Sequence, residues 1–523
     1  MTDIAIILGL AAIGYAAAYW LRLPNIPLLL AVGFFVSLTS LAPSREGIIQ
    51  LVQLGLAFLV FAAGIELSPR RFAHQTAVVV WVALAQFLVV GAAGYGLARL
   101  FDFDRIAAAY VGLALSASST LVVIWHLRIH QQMFEPFGRL VTGVLLWQDV
   151  MLITLLVMLD AVPDGIDVLL RETGLYAGLA AVAALAHYRW LPWITVRLQA
   201  DEEILLLISL ATLFFFLWAA HVIGIPFIAG ALLAGFALSA FPVNGLIRGL
   251  VSSLSDFFRA LFFTSLGTLL SLGSWTTLGH ALLFAALVIF ITPPVVAAIA
   301  EWCGQTARSG LESGLLLAQT SELGIVVAMA GWMRGILSVE QFSLIGLVAA
   351  LTMALTPFLA TDAVTWKLLH RHPSRRRPPA ILDLHDHILV LGLGSAGMWV
   401  VKPLLQAGYR VLVVDDDPAV LDELSKTRVA WWRGDGSDEH TLSAVRARDA
   451  KLILTALPRT ADILKVIQYA KGVRVVARVF EEADAEVIER AGGVAILNSE
   501  AAARQFLAWF DNFTKRAAKP VPD

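Results

Sequence analysis

The chain has 523 residues, of which 59% are hydrophobic and 15% charged, and its formal net charge is −2. A soluble domain is about a quarter charged, so this balance excludes a soluble globular chain and describes one that crosses a bilayer many times. A single cysteine, Cys303, excludes an internal disulfide and a cysteine metal cluster, and no nucleic-acid partner is expected.

The start, "MTDIAIILGLAAIGYAAAYWLR", lacks a basic leader and a small-residue cleavage site, so it reads as a first transmembrane helix that stays. Thirteen hydrophobic spans follow one another, at 3–20, 26–42, 47–66, 75–100, 105–125, 138–160, 174–190, 203–220, 222–240, 257–272, 278–301, 310–331 and 341–361. An odd number puts the termini on opposite sides. One side collects Arg22, Arg70, Arg71, Arg128, Arg139, Arg189, Arg197, Arg248 and Arg308, and then the basic "HRHPSRRRPP". The other has Arg45, Arg105, Arg171 and Arg334 and the acidic loops "FDFD" and "DAVPDGID". Positive charge stays inside, so the N-terminus is expected outside and the C-terminus in the cytoplasm. The tight turn His221–Pro226 is the weakest boundary, but merging its two spans breaks the charge alternation.

Two spans are expected to be broken. "AYVGLALSASSTLVVIW" clusters Ser116, Ser118, Ser119 and Thr120 at mid-depth, and "GLLLAQTSELGIVVAMAG" clusters Gln319, Thr320, Ser321, Glu322 and Gly324. A hydroxyl in a membrane helix also bonds back to a carbonyl one turn earlier, which is the plain alternative for either span alone. A pair of interrupted helices in corresponding positions points to an inverted-repeat transporter whose site lies at the midplane.

"VTGVLLWQDVMLITLLVMLD" runs from Val141 to Asp160 and carries Gln148 and Asp149 near its middle. A carboxylate at that depth costs about 2.5–3.5 kcal/mol even on lenient scales, and it marks a functional site by default. Burial disfavours the bare carboxylate, so either a proton or a monovalent cation neutralises it. That competition is sufficient for exchange if the site opens to one side at a time. The amide oxygen of Gln148 and the hydroxyls of Ser118, Ser119 and Thr120 are hard oxygen ligands suited to an alkali cation. Ser321 and Glu322 join the set from the second break; Glu322 also reads as a protonated bridge across that break. Gln53 and Gln86 read as interhelical hydrogen-bond partners, and Glu66 as a structural carboxylate at a helix end.

After Lys367, the first lysine of the chain, a basic Pro-rich stretch over 367–386 is expected to lie along the anionic cytoplasmic leaflet. The pattern then changes. "HILVLGLGSAGMWVVKPLLQAGYRVLVVDDDP" reads as strand, Gly-rich turn, helix and strand, with Gly392, Gly394 and Gly397 in GxGxxG spacing and Asp415 closing the second strand 23 residues after Gly392. In this context the motif is a Rossmann fingerprint: the glycines let backbone approach a phosphate, and Asp415 is expected to bond a ribose diol. This favours an NAD(H)- or AMP-type ligand over NADP. "AKLILTALP", "RVVARVF" and "VAILN" continue the alternation.

"LALSASST", "LLWQDV", "FAAGIEL", "DFFRALFFTSLG" and "LAQTSELGIVV" together resemble the monovalent cation:proton antiporters, specifically the Kef-type potassium/proton antiporters. "RGDGSDEHTL" resembles a turn of the RCK (TrkA-N) regulatory domain whose aspartate, here Asp435, lines a nucleotide pocket together with Gly392, Gly394, Ser395, Gly397 and Asp415. The resemblance implies a polytopic all-α membrane domain over 1–366, with inverted repeats and two broken helices. It implies a linker over 367–386, an α/β Rossmann-like RCK domain over 387–512 and a tail over 513–523. It implies that Asp149 is the exchanging carboxylate, that Gln148 favours K⁺, and that the protein is a homodimer in a bacterial cytoplasmic membrane, regulated by AMP or an NAD(H)-type nucleotide. A glutathione-type regulator or ancillary subunit stays open. Kef-type proteins usually carry Gly-Glu-Phe where Ser321-Glu322-Leu323 stands, and many relatives have a basic residue in the preceding helix, which here has Thr292-Pro293-Pro294 and none. Arg259 is the nearest candidate and is expected at a helix end. The alternatives are Na⁺/H⁺ exchange by the same fold, an RCK-gated potassium channel, and a membrane-anchored NAD-dependent enzyme; no TVGYG-like filter and no second substrate domain speak for the last two.

Overall fold

The computed structural model describes residues 2–39, 45–67, 77–191, 193, 197, 201–239, 244–271, 274–373, 382–394, 398–499, 503–507 and 509–510. Arg70, Arg71, Ser395, Gly397 and the 513–523 tail, all used above, lie outside the described residues. The chain divides into two compact units, one of Met1–Cys303 with Ser309–Thr365, the other of Gly304–Arg308 with Trp366–Asp523.

The first unit is helical throughout. It contains α1 (Thr2–Leu21), α2 (Asn25–Ser37), α3 (Arg45–Glu66), α4 (Ala77–Leu100), α5 (Arg105–Leu115), α6 (Thr120–Ile129), α7 (Pro136–Ala161) and α8 (Ile166–Leu185). It continues with α9 (Glu202–Ile223), α10 (Phe227–Leu238), α11 (Asn244–Leu269), α12 (Trp275–Trp302), α13 (Ala307–Leu317), α14 (Glu322–Met333) and α15 (Val339–Leu359). Among the described residues ten segments are long and apolar enough to cross a membrane, counting α5–α6 and α13–α14 as one each, and α2 and α10 are shorter apolar helices. Each hydrophobic span of the sequence therefore has its helix.

The weak boundary is a real turn. Gly224 takes φ +80° as the left-handed cap of α9, where its N–H reaches Ala220 and His221 carbonyls, and Pro226 then opens α10. Two boundaries differ: the span expected from 174 begins at Ile166 in α8, which puts Arg171 inside that helix, and α11 also starts early. α11 begins at Asn244 rather than 257, so Arg259 sits inside the helix rather than at its end, paired with Asp256 at 2.8 Å. The polar "SSLSD" lowered the hydropathy of the first turns and hid them. α12 runs unbroken through Pro293 and Pro294.

In the second unit α16 (Asp362–Arg371) leads to β1 (Ile388–Leu391), α17 (Met398–Gln406), β2 (Val411–Asp415), α18 (Pro418–Ser425), β3 (Ala430–Arg433) and α19 (Glu439–Ala444). Then come β4 (Leu452–Thr455), α20 (Thr460–Tyr469), β5 (Val475–Val479), α21 (Glu482–Arg490) and β6 (Val494–Leu497). The six strands form one sheet in the order β3-β2-β1-β4-β5-β6. All pairings are parallel, with Ile388 opposite both Val411 and Leu452. β1 and β2 are buried at every position, which explains their uninterrupted Ile, Leu and Val runs. The order reverses at β1, and this is where doubly wound sheets bind ligands.

Candidate functional site

The first unit's site begins with the two breaks. α5 ends at Leu115 and α6 starts at Thr120; α13 ends at Leu317 and α14 starts at Glu322. An unwound segment leaves backbone groups that need partners in an apolar medium. Each break supplies them to the other: Ser321 N donates to the Ala117 carbonyl at 2.8 Å, and Ser118 Oγ donates to the Leu317 carbonyl at 2.7 Å. Thr320 N finds Thr352 Oγ1 on α15 at 3.1 Å. Ser119 and Ser321 cap the new helices, accepting from Val122 N and Leu323 N. These are the usual N-cap residues, placed where two helices restart in mid-span.

Gln148 on α7 closes the network. Its Oε1 accepts from Ser118 N at 3.0 Å, and its Nε2 donates to Gln86 Oε1 at 2.8 Å, while Gln86 Nε2 donates to Ser118 Oγ at 2.8 Å. Asp149 is 7% exposed and takes one bond, from Thr120 Oγ1 to its Oδ2 at 3.2 Å. Its Oδ1 is buried without a hydrogen-bond partner, as are Gln319 Oε1, Thr320 Oγ1 and Glu322 Oε2. Glu322 is 5% exposed, has Ser119 as a hydrogen-bonding neighbour, and lies close enough for its charge to act on Asp149. Among the described residues neither carboxylate has a salt-bridge partner; the Arg259 charge reaches Glu322 only at longer range. Positive potential also comes from the N-termini of α6 and α14, each equivalent to about half a unit charge. The arrangement buries two carboxyls and several side-chain oxygens without hydrogen-bond partners between the two breaks.

In the second unit Gly392 and Gly394 take φ +71° and +54°, and a Cβ on Gly392 would stand 3.2 Å from the Leu457 side chain. The glycine turn is thus required by backbone geometry. Asp415 ends β2 as expected. Its Oδ2 accepts from Leu393 N at 2.7 Å and Gly394 N at 3.2 Å, and its Oδ1 from Asp417 N at 2.9 Å. Burial raises its carboxyl above the ordinary range. Asp435 is also buried, and its Oδ1 accepts from the N–H and hydroxyl of Ser437. Although burial alone would raise it, the Arg308 guanidinium and the Ser437 donors hold it below the usual range.

The model of the sodium/hydrogen exchanger transmembrane family matches residues 7–361, more than half of the chain. The chain belongs to this family. It is a multi-pass secondary transporter, not an enzyme. The TrkA-N domain model matches residues 388–499. Among curated relatives, "Glutathione-regulated potassium-efflux system protein KefC" of Enterobacter sp. (strain 638) is 26% identical over 82% of this chain and 70% of its own. "Putative cation/proton antiporter YbaL" of Escherichia coli (strain K12) is 25% identical over 96% of this chain and 95% of its own. The solved sodium proton antiporter MjNhaP1 of Methanocaldococcus jannaschii covers 71% of this chain and 100% of its own, with 15% identity and a TM-score of 0.56, and so shares the fold of this exchanger.

Of the exchanger's sequence-predicted residues, Ser118, Ser119, Thr120, Gln148, Asp149, Ser321 and Glu322 come together at the crossing. Gln319 and Thr320, placed by the sequence in the second break but not in the exchange site, also bury unpartnered oxygens there, and the role of Thr352 was missed. Thr352 and Thr356, four apart in the apolar second half of α15, were the available signal. Arg308, counted only as a loop charge, proves to belong to the second unit.

Proposed function

We propose that the protein exchanges a monovalent cation, K⁺, for H⁺ across a bacterial cytoplasmic membrane, and that the α/β unit regulates this exchange by binding an adenine-type nucleotide. The observation that carries the first part is Asp149 Oδ1: a buried carboxylate oxygen without a partner, between two interlocked breaks. A proton or a cation satisfies it, and one excludes the other. Glu322, Gln319 and Thr320 add oxygens on the opposite break, whereas Gln148, Ser118, Ser119 and Ser321 hold the breaks in place. The choice of K⁺ over Na⁺ is supported by the Gln148-Asp149 pair and by the relatives named for potassium efflux. The N-terminus outside and the α/β unit inside follow from the arginine distribution, and the homodimer from the family resemblance.

For the nucleotide, the reading is supported by the positive-φ turn at Gly392 and Gly394, which lets a phosphate approach backbone, and by Asp415 at the end of β2, the residue assigned to the ribose diol. The carboxyl ends of β1 and β2 would hold AMP or NAD(H), as a regulatory ligand rather than a reacting one. A ligand regulates only if it binds two transport states unequally.

The test is proton flux in proteoliposomes with an internal pH dye, on adding K⁺, Na⁺ or Li⁺, for the wild type and Asp149→Asn. K⁺-driven flux in the wild type and none in the variant is the expected result. Exchange that survives in Asp149→Asn overturns the site. Exchange driven by Na⁺ but not K⁺ overturns the ion, and flux by no cation, with or without AMP, favours a channel.

A further inference from the structure

Arg308 is the second residue of α13 and nine residues ahead of the second break, yet Gly304–Arg308 belongs to the second compact unit. There it is 7% exposed. One guanidinium nitrogen, Nη1, reaches Asp435 Oδ2 at 3.0 Å, Ser437 Oγ at 2.8 Å and Asp462 Oδ2 at 2.9 Å. The guanidinium carbon lies 4.9 Å from the centre of the Trp366 ring, a cation–π distance.

Its position across the sheet is what matters. Asp435 follows β3, and Asp462 opens α20 after β4. In the order β3-β2-β1-β4 those strands flank β2 and β1. A group that bridges Asp435 to Asp462 therefore spans the carboxyl ends of β1 and β2, where the glycine turn and Asp415 stand. The turn between Asp435 and Ser437 confirms the closeness: a Cβ on Gly436 would meet Leu391, the last residue of β1, at 3.1 Å. Gly304 is held there too, against the Arg433 guanidinium at the end of β3.

The charge balance of this crevice is unfavourable to an anion. Asp415, Asp416, Asp435 and Asp462 all face it. Burial, with Asp435 and Asp415 nearby, raises Asp416 to about 8. The loop N–H groups of Leu393 and Gly394, which would cradle a phosphate, are engaged by Asp415. Lys465 is tied to Asp462 at 3.0 Å and lies over the Trp366 ring. A phosphate entering here needs a cation that can change partners.

We infer that Arg308 is the phosphate-binding group of the nucleotide crevice, held in reserve on Asp435 and Asp462 and transferred to the phosphate of a nucleoside mono- or diphosphate when it binds. Guanidinium suits this exchange, because it pairs as readily with phosphate oxygens as with carboxylates. The inference rests on the reading of the α/β unit as a nucleotide-binding unit.

The experiment is titration calorimetry on the full chain in detergent, with AMP and adenosine as probes, for the wild type, Arg308→Gln and Arg308→Lys. The wild type is expected to bind AMP more tightly than adenosine. Arg308→Gln is expected to lose about tenfold or more of AMP affinity, a coupling of ordinary size, with adenosine affinity unchanged. Arg308→Lys should recover part of it. Unchanged AMP binding in Arg308→Gln overturns the inference. So does an equal fall for AMP and adenosine, which marks a purely structural arginine. If the wild type binds neither AMP nor ADP nor NADH, the nucleotide reading itself fails, and the inference with it.

Discussion

Gln148 illustrates what one residue does in a dry interior. An amide carries an acceptor and a donor, and both are engaged here, on Ser118 N and on Gln86 Oε1. Its neighbour Asp149 keeps an oxygen open. On the proposed function, the Gln-Asp pair divides the work between holding the first break and meeting the ion. Removing the amide in Gln148→Ala leaves Ser118 N buried and unsatisfied, which costs about 1–3 kcal/mol. The expected result is a lower melting temperature in detergent and slower exchange, with little change in the cation concentration at half-maximal flux. A large rise in that concentration, with stability intact, would instead make Gln148 a direct cation ligand.

At the scale of elements, the crossing depends on how closely α14 approaches α5. Gly324 is the third residue of α14, and a Cβ there would run into the Ala114 carbonyl. Since the obstacle is backbone, the helices themselves must move. Gly324→Ala should cost about 1–3 kcal/mol and abolish most exchange, as overpacked sites do. Gly96 on α4 has nothing within 4 Å of a Cβ, so Gly96→Ala should be tolerated. Parallel melts and flux assays of the two variants check this; equal behaviour would show that the close approach is not needed. The breaks themselves were legible because serine and threonine clusters are rare at mid-span, and the sheet because Ile, Leu and Val runs alternate with glycine turns. Contacts made by the fold were not legible. The Gln148–Gln86 bond joins residues 62 apart in the chain, and Arg308–Asp435 joins residues 127 apart. Nor does a sequence show that α11 starts at Asn244, since its first turns are polar and its helical character comes from packing against α3 and α2.

Over the whole molecule, a net charge of −2 conceals two opposite environments. The membrane unit buries Asp149 and Glu322 without a salt-bridge partner among the described residues, whereas the α/β unit gathers Asp416, Asp435 and Asp462 around one buried arginine. This gives the α/β unit a pH dependence of definite sign. Burial and the neighbouring Asp435 push Asp416 up to about 8 in the folded chain, against an ordinary 3.8. Between those values the folded unit holds a proton that the unfolded chain has released. Its stability therefore falls as pH rises through this window, and the fall from this group levels off above about 8. Asp435 acts oppositely: its carboxyl lies below the ordinary range, so its contribution is present above 3.8 and is lost as pH falls below it. Above about pH 6.5 Asp416 sets the sign of the slope; nearer pH 6 it is opposed by His387, whose burial holds its ring below the ordinary range. Hydrogen exchange of the β1 and β2 amides, which are buried throughout, reads the opening of this unit alone. The opening free energy from those amides should decrease from pH 6 to pH 8 in the wild type and be flatter in Asp416→Asn, which cannot ionise. AMP should steepen the slope near pH 8 if its phosphate draws Arg308 from the carboxylates, because Asp416 then loses the nearby cation and keeps its proton to higher pH. A slope that persists unchanged in Asp416→Asn would assign the proton to another group and remove Asp416 from the crevice's charge balance.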